Sequence, residues 1–508
     1  MIELDGSSLT LDDLARIARD FELVGLSAAA RARVNDARAV VDRHAARGTP
    51  VYGVNTGFGA LADVAIPDDQ LATLQLNLLR SHAAGVGGPL DVTTVRALMV
   101  LRANVLAKGY SGIRLETLDA LLAMVNARVH PRVPARGSVG ASGDLAPLAH
   151  LALVLVGEGE VLVMKNEGAG HVPGAEALAR AGLRPVALAP KEGLALINGT
   201  QASTAVLGLA VLAATRLVRA ADIAAALSID TLRGSIHPFE PRIHAARPVP
   251  GQAASAANLL ALVSGSAINQ SHELCGKVQD AYALRCAPQV HGSAREALGF
   301  AERLASIEAN AATDNPMVFA DAGEIVSGGN FHGAPVALAA DTLTIGLAQL
   351  ATISERRLDR LMTSSESGLP PFLIRDSGLN SGLMMAQVTA AALVSEIKTL
   401  SHPAAVDTIP TSAHREDHVS MSMGAALKLA AVVDHTTTVL AIELLSGVQA
   451  LDLLAPLASS AALEGVRRVV RAIVPTLDRD RPPAPDIAAV ATLVASGAIE
   501  RACNLKLA

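Results

Sequence analysis

The chain has 508 residues, of which 51% are hydrophobic, 18% charged and only 2% aromatic, with no tryptophan. A net charge of −6 and a pI near 6.2 leave no basic stripe of the kind that nucleic-acid binding requires, and no run of like charge forms an interaction tail. The cysteines, Cys275, Cys286 and Cys503, form no Cys-x-x-Cys pair and no even framework, which points to a reducing compartment.

The opening Met1-Ile2-Glu3-Leu4-Asp5 is acidic rather than basic-then-apolar, so no secretory leader is expected there and the expected location is cytoplasmic. Up to about residue 200 the chain is punctuated by Gly53, Gly57, Gly59, Gly85, Gly87, Gly88, Gly109 and Gly112, and reads as short helices joined by functional loops. Glu158 to His171 predicts a small hairpin, with Val161, Leu162 and Val163 as one strand. The apolar run Ala205 to Ala214 is too short to span a bilayer and is expected to be a buried core helix rather than a membrane anchor. Three- and four-residue apolar steps predict long helices over Val336 to Leu361, Leu383 to Leu400 and Ala425 to Leu445. Pro482 to Pro485 marks a turn before a final helix. Richness in alanine and leucine with few aromatics favours helix over sheet. The expected architecture is therefore all-α: a loop-rich N-terminal domain over 1–200 and a long-helix bundle with C-terminal helices over 201–508. The apolar stripes are wider than one bundle needs, which suggests burial between subunits.

One loop carries unusual chemistry. In Gly137 to Leu145, Ala141-Ser142-Gly143 sits among glycines, where a backbone amide can approach a neighbouring carbonyl without Cβ interference. Attack of the Gly143 nitrogen on the Ala141 carbonyl closes a five-membered ring. Loss of two waters, one from the Ser142 hydroxyl, leaves a methylidene conjugated to an imidazolone, an electrophile that no unmodified side chain supplies. Such a group suits activation of an amine-bearing substrate. On its own the tripeptide is common, and most copies of it are ordinary loops. A nucleophile elbow needs Gly-x-Ser-x-Gly, and Asp144 stands where the second glycine would be.

The surrounding segments set this loop in context. Val51 to Gly59 reads VYGVNTGFG, Leu79 to Gly87 LRSHAAGVG, Gly137 to His150 GSVGASGDLAPLAH and Leu196 to Gln201 LINGTQ. Lys277 to Val290 reads KVQDAYALRCAPQV, Gly328 to His332 GGNFH and Thr411 to Met421 TSAHREDHVSM. In this ordered set the chain resembles the aromatic amino-acid ammonia-lyases, from about residue 5 to about residue 490. The resemblance implies a fumarase/aspartase-like all-α fold and a homotetramer whose active sites draw on more than one subunit. It also implies a 4-methylidene-imidazol-5-one formed autocatalytically from Ala141-Ser142-Gly143, with no metal and no diffusible cofactor. The substrate is then a small amino acid, and neither nucleic acid nor membrane is a partner.

Loss of ammonia from an α-amino acid faces two obstacles: a poor leaving group and a barely acidic β-hydrogen. Covalent capture of the amine answers the first and a base at the β-carbon answers the second. By resemblance Tyr52 is the base, flanked by Gly53 and Gly57 in a mobile loop, and Tyr282 positions the electrophile and the substrate amine. Isolated tyrosines would otherwise read as half-buried packing residues. Arg285 matches the carboxylate anchor, for which a guanidinium offers two parallel hydrogen bonds. Asn198 and Gln279 match amides at the electrophile or the substrate's polar end, and Phe331 matches a residue lining the pocket. His82, Met384 and Glu416 are placed around the substrate ring. Ser81-His82-Ala83-Ala84 has the pattern of the branch acting on histidine, whereas relatives acting on tyrosine carry leucine after the histidine. Glu416 would pair a cationic imidazole but would stand unpaired against a phenyl. The expected reaction is non-oxidative elimination of ammonia from L-histidine, giving trans-urocanate.

The chain departs from the family at His414-Arg415, where Asn-Gln is usual; at Thr363 to Ser367, which lacks an Asp-Lys-His pattern; and at Ala281 in place of proline. Arg415 beside Glu416 leaves open an ion pair between them that would weaken the grip on imidazole. Alternatives within the family are an aminomutase and a lyase for tyrosine or for an ergothioneine-like betaine. A different class, a metallohydrolase, is suggested by His414 and His418 at i and i+4 on one helix face, although the zincin order of residues is absent.

Overall fold

Alanine and leucine lose little on entering a helix, and they are abundant in a chain whose regular structure is mainly helical. A computed structural model describes residues 1–46, 50–57, 59–163, 170–272, 276 and 278–508; Cys275 lies outside them. The fold is all-α, and among the described residues the only sheets are two-stranded. Side-chain caps set several helix starts: Thr10, Ser27, Asp91 and Ser460 each accept a backbone N–H from the first turn.

Two compact units emerge, each assembled from three stretches of chain. The first comprises Met1–Leu209, Glu302–Asp341 and Pro403–Leu427; the second comprises Ala210–Ala301, Thr342–His402 and Lys428–Ala508. The expected division at 200/201 took the chain as two contiguous stretches instead.

In the first unit, the helix Val92–Ala107 packs against Leu11–Arg19 on one side and Leu115–Asn126 on another, and is buried from Thr94 to Ala107. Burial all round includes Arg96, Arg102 and Asn104, whose polar groups must be met inside the protein. Helices Leu71–His82, Leu145–Leu155 and Glu192–Ile197 pack mutually. The predicted hairpin is present as Glu160–Leu162 paired antiparallel with His171–Pro173, while 164–169 lie outside the described residues.

In the second unit Glu443 is the hub of the core. It is fully buried and takes hydrogen bonds from Ser228 Oγ at 2.7 Å, Ser354 Oγ at 2.5 Å and Arg357 Nε at 2.5 Å. These residues come from the helices Gln201–Thr231, Ala334–Met362 and Ser422–Leu453. Arg357 also meets His291 Nε2 at 3.3 Å, and His291 Nδ1 meets Asp222 at 2.7 Å.

The predicted long helices are present, with Leu383 to Leu400 seen as Met384–Leu400. The other two run longer than the pattern indicated, as Ala334–Met362 and Ser422–Leu453. The run Ala205 to Ala214 is corrected: it belongs to a helix of 31 residues, Gln201–Thr231. That helix, Ala334–Met362 and Ser422–Leu453 are each long and apolar enough to cross a membrane, yet 72%, 67% and 56% of their apolar windows are buried within the protein. Burial and internal polar partners such as Glu443, not shortness, mark them as core helices. The turn expected at Pro482 to Pro485 overlaps the start of the helix Ala484–Ala495, whose first turn contains Pro485, and one more helix, Ala498–Ala502, follows it.

Candidate active site

The Ala-Ser-Gly loop lies in the first unit, between strand Pro134–Arg136 and helix Leu145–Leu155. Gly143 is left-handed at φ 72°, and a Cβ on it would overlap the Gly199 carbonyl. Only glycine permits the contact that lets the Asp144 N–H donate to that carbonyl at 2.7 Å. Gly199 itself has φ 148°, and a Cβ there would meet the Thr313 carbonyl at 2.5 Å. The loop is gripped from a second side, where Ser420 Oγ donates to the Gly140 carbonyl at 2.9 Å and the Met421 N–H to the Val139 carbonyl at 2.8 Å. From a third side, the buried Asp144 carboxylate accepts from Ser138 Oγ at 2.8 Å and from Ser203 N–H and Oγ at 2.7 and 2.8 Å. Burial pushes the Asp144 carboxyl up from its ordinary range, against the pull of those bonds.

Ser142 Oγ donates to Glu416 Oε1 at 2.9 Å, and Asn198 Nδ2 donates to the Ser142 carbonyl at 2.9 Å. Asn198 Oδ1 is buried with no hydrogen-bond partner among the described residues. The second oxygen of Glu416 accepts from Thr411 Oγ1 at 2.6 Å, and the two residues also pair through their backbones. A cavity of about 600 Å³ opens on this cluster, lined by Tyr52, His82, Ala141, Ser142, Asn198, Phe331 and Glu416, and further by Asn315, His332, Arg415 and His418.

The Tyr52 hydroxyl accepts the Gly59 N–H at 3.4 Å. Burial, and then the Glu416 charge, raise its pKa above the usual phenol value, with the Gly59 bond opposing. Burial lowers the pKa of His82. Its Nδ1 lies 2.9 Å from the Leu78 carbonyl, which can only accept, so Nδ1 carries the proton and Nε2 is left as an acceptor.

Gly143 and the other predicted residues Tyr52, His82, Ala141, Ser142, Asn198, Phe331 and Glu416 are thus brought together within one unit. Gln279, Tyr282, Arg285 and Met384 belong to the second unit and do not line this cavity. Gln279 lines a separate cavity of about 320 Å³. Tyr282 is 70% exposed, with the Arg285 guanidinium 4.7 Å from its ring centre. Met384 opens the helix Met384–Leu400.

The metal reading loses its geometric premise. Ser412–His414 forms a tight left-handed turn, with φ of 50°, 53° and 65°, so His414 and His418 do not share a helix face. Among the described residues no three His, Cys, Asp or Glu side chains gather as a ligand set. Arg415 reaches Asp63 at 3.8 Å, with both side chains exposed, while Glu416 is held by Ser142 and Thr411. Sequence reasoning gave no role in the pocket to His332 and His418, whose rings stack there at 5.8 Å. Both fall in the segments GGNFH and TSAHREDHVSM, which were the available signal.

Residues 9–472 match the aromatic amino acid lyase family. The chain is 58% identical over 502 residues, 98% of its own length and 99% of the other, to a histidine ammonia-lyase from Anaeromyxobacter sp. (strain K). Its fold is similar to the crystal structure of histidine ammonia-lyase from Trypanosoma cruzi, with a TM-score of 0.92 and 44% identity, covering 99% of this chain and 95% of that one. It is also similar to tyrosine aminomutase from Streptomyces globisporus, with a TM-score of 0.94 and 38% identity over 100% of both chains.

Proposed function

The chain belongs to the aromatic amino acid lyase family and is a carbon–nitrogen lyase, and from that premise we propose that it removes ammonia from L-histidine to leave trans-urocanate. The observation that carries this reading is the 2.9 Å bond from Ser142 Oγ to Glu416 Oε1, which puts a carboxylate at the reactive loop.

Ala141-Ser142-Gly143 suit ring closure. The left-handed glycine, the clamps on its flanks and the Asn198 Nδ2 bond to the Ser142 carbonyl all bear on the peptide that would cyclise. The resulting 4-methylidene-imidazol-5-one supplies an electrophile for the substrate amine. Closure consumes the Ser142 hydroxyl, so Glu416 Oε1 loses its donor and becomes an acceptor facing the cavity, while Thr411 keeps the other oxygen. A cationic ring or ammonium satisfies that oxygen; a phenyl would cover it without offering it a partner. His82 Nε2 offers a second acceptor, suited to a ring that donates N–H. Asn198 holds the loop carbonyl, Phe331 excludes water beside it, and Tyr52 takes the β-proton.

Gln279, Tyr282, Arg285 and Met384 complete the site from a neighbouring copy in a homotetramer, Arg285 holding the substrate carboxylate with its fork of N–H groups. The exposed Tyr282 and its guanidinium neighbour fit such a role. The enzyme works in the cytoplasm, on a free amino acid.

The test is to mix purified protein with L-histidine and, separately, with L-tyrosine, L-phenylalanine and ergothioneine. Conjugated acrylate is followed by ultraviolet absorbance and ammonia is measured in parallel. A rise with histidine alone, matched by ammonia, is expected. Activity only on another substrate would mean that His414-Arg415 has redirected the pocket, and a β-amino acid product would identify an aminomutase.

A further inference from the structure

Arg102 lies on the helix Val92–Ala107, is fully buried and does not line the catalytic cavity. Burial lowers its pKa only to about 10, so it is charged at neutral pH. A guanidinium in a core is costly unless its hydrogen bonds are met. Here the two terminal nitrogens are met, Nη2 donating to the Ala195 carbonyl at 2.5 Å and Nη1 to the Asn198 carbonyl at 2.7 Å and Gln201 Oε1 at 2.6 Å, while Nε has no hydrogen-bond partner among the described residues. Ala195 and Asn198 are the closing turn of the helix Glu192–Ile197, whose last carbonyls have no partner within the helix. Gln201 in turn donates to Thr313 Oγ1 at 2.6 Å.

The chain leaves this grip directly under the reactive loop. Asn198 sends its amide to the Ser142 carbonyl, and Gly199 receives the Asp144 N–H and lies against Gly143. One cation therefore sets the height of the two-residue strap on which Ser142 and Gly143 rest.

We propose that Arg102 is a positioning residue for cyclisation of Ala141-Ser142-Gly143, acting through the Asn198-Gly199 strap; the inference rests on the reading that this tripeptide closes. In that closure the Gly143 nitrogen bonds to the Ala141 carbonyl carbon. The carbonyl oxygen leaves as water with the amide protons of Gly143 and Ser142, and the Ala141 carbon becomes double-bonded to the Ser142 nitrogen. Ser142 then loses its hydroxyl and its α-hydrogen as a second water, giving the methylidene, and no oxidant is needed. The attack requires the Gly143 nitrogen to be pressed toward the Ala141 carbonyl, a displacement of the kind where small errors are expensive. A strap held by a rigid fork can do this. A lysine keeps the charge but cannot span both carbonyls in fixed geometry.

The experiment weighs the peptide spanning 141–143 by mass spectrometry after purification of the full chain, with circular dichroism reporting the fold. Wild type is expected to have lost two waters. Arg102→Lys is expected to raise the uncyclised fraction roughly tenfold with the fold retained. Arg96→Lys is the control: Arg96 is equally buried on the same helix but holds the carbonyls of Ile17 and Val125. Full dehydration in Arg102→Lys, or equal loss in Arg96→Lys, overturns the proposal. If Arg102→Lys does not fold, Gln201→Met decides: more uncyclised peptide supports the strap and full closure overturns it. A wild type that keeps both waters overturns the reading beneath the inference as well as the inference.

Discussion

Tyr52 and Glu416 are in tension at the scale of single residues. A base must lose its proton, yet burial and the Glu416 charge both raise the Tyr52 phenol above its ordinary pKa. The phenolate fraction therefore grows toward alkaline pH, and kcat/KM should rise with it. Glu416→Gln removes the negative charge, so the Tyr52 pKa falls and the rising limb should move to lower pH. The same change should weaken turnover of an imidazole substrate far more than that of phenylalanine. Profiles of kcat/KM against pH for both proteins check this. A limb that stays in place, or moves to higher pH, would separate Tyr52 from the proton-transfer step.

Among the elements, what could be read ahead of the structure follows from periodicity. Apolar steps in Ala425 to Leu445 mark a helix because its buried face repeats, and Ser422–Leu453 is that helix extended at both ends. Nothing comparable announces the turn at Ser412–His414. Left-handed residues are normally signalled by glycine, and Ser-Ala-His carries none, so the spacing of His414 and His418 pointed to a helix that is not there. The Arg102 grip was equally silent, since an arginine in an apolar helix reads as a surface residue until its partners are known. Glu443 behaves similarly. It is written as one acid in an apolar run, yet it joins three helices through Ser228, Ser354 and Arg357. Glu443→Leu leaves Arg357 charged, buried and without its carboxylate, which should destabilise the second unit by about 3–5 kcal/mol. Denaturant titration should also show the double variant Glu443→Leu/Arg357→Met recovering part of that loss. Equal stability of wild type and Glu443→Leu would mean the pair contributes nothing net.

For the whole molecule, the partition of the proposed site residues between the two units makes the proposed assembly testable. Tyr52, Ser142 and Glu416 belong to one unit; Gln279, Tyr282, Arg285 and Met384 belong to the other and do not line the cavity at the loop. Exposed apolar groups accompany the second set, with Val278 at 96% and Met385 at 59% exposed, and the proposed homotetramer would give them a partner. If each site takes Ser142 from one copy and Arg285 from another, Ser142→Ala and Arg285→Ala should each be inactive as pure proteins. Co-expressed in equal amounts, they should regain activity. A site is intact only when its loop comes from an Arg285→Ala copy and its anchor from a Ser142→Ala copy, which random mixing produces in roughly a quarter of sites. Light scattering should report four copies in the mixed sample and in each parent. Mixed tetramers with no activity would place both groups in the same copy's site, whereas an active Arg285→Ala parent would remove Arg285 from the site altogether. Recovery can arise only from sites that cross between copies, because neither parent chain contains a complete set.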